Sequence, residues 1–102
     1  MNDPHLVLQK IDDMLRESMS SDRAFQLSAF SASAVLIERI REHIQSEEEN
    51  GINYIDEKLD SLKWHSAAMF ELDITNGHDM NTHYCWALGA INTLKKTITR
   101  VS

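Results

Sequence analysis

Apolar residues recur at alternating steps of three and four along almost the whole of this chain, and little interrupts them: 102 residues contain 3 Gly and 1 Pro. A repeat near 3.6 puts the apolar positions on one face of an α-helix, whereas a strand needs a repeat of two. Four punctuation points stand out, at Asp3-Pro4, Ser20-Ser21-Asp22, Asn50-Gly51 and Asn76-Gly77, and each carries cap or turn chemistry. They cut the chain into helix-sized pieces. The expectation is an all-α protein, a single domain over 1–102 built as an antiparallel four-helix bundle with one short helix and three long.

Asp3 can cap a first helix and Pro4 can open it, since the missing N–H costs nothing there; with Val7, Leu8, Ile11, Met14 and Leu15 on one face it spans about residues 4 to 18. The second helix runs from the Ser-Ser-Asp break to about Glu49, with Leu27, Phe30, Ala34, Ile37 and Ile44 along a seam. A second set, Phe25, Ala29, Ala32, Leu36 and Ile40, lies beside it, so the apolar arc is wider than the ~100° of an ordinary surface helix. Asn50-Gly51 reads as a left-handed cap. A third helix then carries Ile52, Ile55, Leu59, Leu62, Ser66 and Met69 and ends near Asn76-Gly77, and Asp79 caps a fourth with Tyr84, Ala87, Ile91, Leu94, Ile98 and Val101. Folding the last two about Gly77 sets Ala67 and Ala68 near Trp86 and Ala87, and Trp64 near Gly89 and Ala90. It also brings the acids Glu47 to Glu49, Asp56, Glu57 and Asp60 to the end holding Lys95, Lys96 and Arg100.

The formal charge of -6 disfavours direct binding to nucleic acid or anionic lipid. Cys85 is the single cysteine, which precludes an internal disulfide and fits a cytoplasmic protein. The first residues lack a basic and apolar leader, and no apolar run approaches the ~18 residues of a membrane span. No Gly-rich phosphate loop, Gly-x-Ser-x-Gly or His-Glu-x-x-His occurs, so no catalytic, cofactor-binding or metal-ligating residues are assigned. The five histidines, His5, His43, His65, His78 and His83, do not converge as three or four zinc ligands should. His83 falls in the apolar stripe of the fourth helix and reads as a hydrogen-bonded core histidine, with Asp73 available as a partner across the turn. Cys85 reads as a half-buried, inert thiol.

Two features are left over. Trp64 and Trp86 lie off the apolar stripes of the third and fourth helices, and exposed Trp is enriched at interface hot spots. The first helix, at about 15 residues, covers only about half the length of a second helix of about 28, so Phe25, Leu36 and Ile40 need a further partner. These five residues form the candidate interface. The expectation is a non-enzymatic helical interaction module, an adaptor, chaperone-like or regulatory protein that binds another protein and pairs as a homodimer. The alternative is an acidic inhibitor of the type encoded by phages and mobile elements, which would occupy a basic groove on a nucleic-acid enzyme. Salt dependence separates the two, because only the acidic mimic loses its partner steeply as salt rises.

Overall fold

The computed structural model describes residues 3–47 and 52–98, and these form four helices and no strand. They are α1 (Pro4–Ser18), α2 (Arg23–Glu47), α3 (Ile52–Met69) and α4 (Met80–Thr97). α1 packs on α2 and α4, and α3 packs on α2 and α4, so the helices close a ring. The Cα radius of gyration is 13.2 Å, close to the ~13 Å of a compact domain of this length. No helix among the described residues is long and apolar enough to cross a membrane.

The caps explain where most helices begin. The Asp3 carboxylate accepts from His5 N at 2.9 Å, Asp22 from Phe25 N at 2.8 Å and Asp79 from Thr82 N at 2.8 Å. Each satisfies an amide that the helix itself leaves unpaired. The α1–α2 turn is tied from within: buried Gln26 donates to Ser18 O at 3.2 Å and Ser21 O at 3.3 Å. Arg23 donates to Phe70 O, fixing the start of α2 to the end of α3.

The end of α3 differs from the sequence expectation. The helix stops at Met69, not near Asn76-Gly77, and 70–79 forms a connecting loop. Leu72 N donates to Ala67 O at 2.9 Å and Glu71 N to Ala68 O at 3.0 Å, the paired bonds of a Schellman cap. Its left-handed position is held by Glu71, at φ 60°, where glycine is the usual occupant. Asn76 (φ 53°) and Gly77 (φ 81°) instead form a tight turn inside the loop, closed by His78 N to Thr75 O at 3.1 Å; two left-handed central residues define the I′ type. The Asn50-Gly51 cap lies outside the described residues.

The core is drawn from all four helices. Leu8, Ile11 and Leu15 of α1, Ile37 and Ile40 of α2, Leu59 and Leu62 of α3, and Ala87, Ile91 and Leu94 of α4 are fully buried. Each such Leu or Ile contributes about 1.5 to 3 kcal/mol over its exposed state. Ile40 is therefore core, not surface. The broad apolar arc of α2 is covered along Ile37, Ile40 and Ile44, while Leu36 is partly buried against the core and Phe25 is half exposed. Ser33 Oγ on α2 is buried without a hydrogen-bond partner.

Polar clasps set the register. His5 bonds the carbonyl of Ile98, the C-cap of α4, at 2.8 Å, while Lys95 donates to Gln9 at 2.5 Å and Tyr84 Oη donates to Asp12 Oδ1 at 2.6 Å between α1 and α4. Burial, with the hydrogen bond and charge of Asp12, pushes the Tyr84 phenol up to about 12. Between α2 and α3, Arg41 reaches Asp56 at 2.9 Å and Asp60 at 2.6 Å, and Lys63 lies 3.7 Å from Glu38. Exposed pairs of this kind contribute little energy but fix orientation.

Candidate functional site

Two concavities carry the residues singled out from the sequence. The larger, about 730 Å³, lies between α1 and α2 and is lined by Asp3, Leu6, Val7, Lys10, Leu36, Arg39, Glu42 and His43. Leu6 is 65% exposed at its edge, and Val35, 52% exposed, stands in the adjoining hollow that shares Arg39 and Glu42. Of the α2 candidates, Leu36 therefore faces a surface groove. Phe25 sits apart from it near the start of the helix, and Ile40 is enclosed.

The second concavity, about 550 Å³, lies between α3 and α4, and it joins Trp64 and Trp86 with His65, His78 and Cys85. Neighbouring positions on α3 place Trp64 beside His65, and one helical turn on α4 places Trp86 beside His83. The loop turns the two pairs towards each other. His65 and His83 meet at Nδ1···Nδ1 3.0 Å, and both indoles pack on the imidazole of His65, with ring centroids 4.3 Å away for Trp64 and 5.2 Å for Trp86. His78 adds an edge-on contact to Trp86 at 4.7 Å.

Hydrogen-bond logic fixes the tautomers of this pair. His83 Nε2 lies 2.8 Å from Thr75 O, and a carbonyl only accepts, so His83 Nε2 donates. Its Nδ1 in the neutral ring is then an acceptor, and His65 Nδ1 donates to it. The remaining nitrogen, His65 Nε2, carries a lone pair. Burial pushes the His65 imidazole below its usual value and the neighbouring His83 pushes it further, both in favour of the neutral ring. The chain of bonds from Thr75 through His83 thus presents one basic nitrogen from a residue only 8% exposed, on the wall of the cleft.

Several expectations change here. His83 is a buried, hydrogen-bonded histidine as read, but its partners are His65 and Thr75; the Asp73 carboxylate accepts from Ile74 N instead. Cys85 is exposed, not half-buried. Trp64 shares the cleft with Gly89 and Ala90 as expected, and Trp86 is 42% exposed. The His65–His83 contact was not foreseen, because a fold about Gly77 sets His65 opposite residue 89. Its sequence signal is an adjacent Trp-His on one helix and His-x-x-Trp on the next. Among the described residues no group of three or more His, Cys, Asp or Glu is arranged to hold a metal ion. No protein-family model, no curated protein and no solved structure matches the chain.

Proposed function

We propose that the chain is a non-enzymatic helical interaction module, an antiparallel four-helix bundle whose α1–α2 face binds protein, with a second copy of itself as the first partner. The observation that carries this reading is the α1–α2 groove, where Leu6 and Leu36 stand among Lys10, Arg39 and Glu42, with Val35 exposed in the hollow beside it. Aliphatic side chains inside a charged rim match the anatomy of a protein interface. Charges of both signs on one face suit a two-fold axis, which sets a patch against its own copy. The acidic-inhibitor reading draws less support, because Asp56, Asp60 and Glu38 are engaged by Arg41 and Lys63 within the chain.

The test is sedimentation at micromolar concentration. The parent is expected as a dimer that persists at high salt, and Leu6→Glu with Leu36→Glu should give a helical monomer. Ile40→Glu should instead unfold the chain, since it buries an unpaired charge at a cost of several kcal/mol. A parent that sediments as a monomer at high micromolar concentration overturns the self-association.

A further inference from the structure

The cleft between α3 and α4 has the attributes of a small-molecule site, and it lies apart from the α1–α2 groove. We infer that it binds a small, neutral, planar heteroaromatic molecule that packs against Trp64 and Trp86 and donates a ring N–H to His65 Nε2. Three observations converge on this ligand class. The first is the lone pair on His65 Nε2, which forms no hydrogen bond to any described residue while the ring's other nitrogen is engaged, on a residue that lines the cleft. The lone pair is open to the cleft, where a ligand N–H can take the place of water. The Thr75–His83 chain fixes it as an acceptor, so the complementary ligand atom is a donor.

The second observation is the pair of indoles. Both pack on the same imidazole, and all three rings line the cleft. Flat π systems prefer offset or edge-on contact with such rings. The volume, about 550 Å³, falls within the ~300 to 1,000 Å³ of ordinary ligand pockets. A cation would suit the indoles alone, but Lys58 at the rim opposes it, as does the positive end of α4 beside His83.

The third is Gly89. It lies in the middle of α4 on the wall of the cleft, and a Cβ built there meets nothing within 4 Å. Glycine in a helix interior is less favourable than alanine by roughly 1 kcal/mol. Protein packing does not require it at this position; what its missing side chain provides is open space on the wall of the cleft that Trp64 and His65 also line.

The test uses benzimidazole and 1-methylbenzimidazole, which share ring and size and differ in the N–H donor, titrated near pH 7.5 into ¹⁵N-labelled full-length protein. Long-range imidazole spectra should show His65 protonated at Nδ1 in the free protein. Benzimidazole should bind saturably with the largest shift at His65 Nε2, and at least fivefold more tightly than its methylated form. Gly89→Leu, which puts a side chain into the cleft from a position whose Cβ meets nothing within 4 Å, should abolish the binding with no fall in melting temperature, and Trp86→Ala should weaken it at unchanged helicity. Failure of benzimidazole to saturate at millimolar concentration, equal affinity for the two probes, undiminished binding by Gly89→Leu, or a His65 proton on Nε2 would each overturn the inference. Because Gly89 and Trp86 lie outside the α1–α2 groove, these outcomes are independent of self-association.

Discussion

The groove between α1 and α2 and the cleft between α3 and α4 are comparable in size, about 730 and about 550 Å³, yet their walls are held by different forces. In the groove, Leu6, Lys10, Arg39 and Glu42 are long side chains with several rotatable bonds at or near the surface. Such a surface adapts to what lands on it and pays rotamer entropy when it does. In the cleft, four of the lining side chains, Trp64, His65, His78 and Trp86, are rings with two side-chain torsions, and His65 and the His83 behind it are further fixed by hydrogen bonds to each other and to Thr75. That surface is set before anything binds. The difference teaches that one bundle can offer a compliant face and a rigid one, according to whether its helices are joined by a short turn or by a loop that reaches back into the helical interface.

The largest effect should come from breaking the rigid side. His83→Ala leaves the Thr75 carbonyl and the His65 Nδ1–H unpaired and opens a void where a residue with 0% exposure stood. Each unpaired buried group costs about 1 to 3 kcal/mol, so a loss of about 2 to 4 kcal/mol is expected in urea unfolding. A loss below about 1 kcal/mol would mean that the imidazole pair does not hold the cleft.

The second effect is on pH dependence. The folded-state value of His65 lies below the ordinary 6.5 because of burial first and the nearby His83 second. Between the lowered value and 6.5 the unfolded chain binds more protons, so stability from this group is complete above about pH 6.5 and falls as pH drops through the folded value. His78, Cys85 and Lys58 also line the cleft. Asp79, held low by its backbone hydrogen bond to Thr82, acts in a separate window: its contribution is present above 3.8 and is lost at more acid pH. The melting temperature should therefore decline between pH 7 and pH 5, and His65→Phe should flatten that decline. An unchanged slope in the variant would show that His65 titrates as a free imidazole does.

The same contrast shows what the sequence made legible. α1 and the start of α4 follow from Asp3-Pro4 and Asp79, because an N-cap is local chemistry between a side chain and amides two or three residues on. The end of α3 was not legible. Glu71 occupies the left-handed cap position for which glycine is the signal, and the visible Asn-Gly signal belongs to a turn further along the loop. That displacement hides the His65–His83 pair, since the register of two helices depends on where the connection begins. Ile40 falls in the core, which is not legible for another reason: a helical wheel gives the width of an apolar arc but not how much of it the neighbouring helices cover. Leu36, one turn away and at the edge of that cover, does reach the groove.

The smallest effect should come from the compliant side, and it is the sharpest check on the comparison. Leu6 is 65% exposed, and its backbone lies in the first turn of α1, which Asp3 and Pro4 hold without its help. Replacing it by Ser removes apolar surface that is mostly in water already, so the folding free energy of the monomer should change by no more than about 0.5 kcal/mol. The change belongs in association instead. An apolar residue on a paired surface is buried twice in a two-fold dimer, once in each copy, so its loss acts twice on one equilibrium. Urea unfolding at low protein concentration, where the chain is dissociated, should superimpose for parent and Leu6→Ser. The dimer dissociation constant from sedimentation should rise at least tenfold. If stability falls and association does not, Leu6 is a packing residue of α1 and the groove is not an interface; if neither moves, the face is solvated and the contrast with the α3–α4 cleft reduces to side-chain chemistry alone.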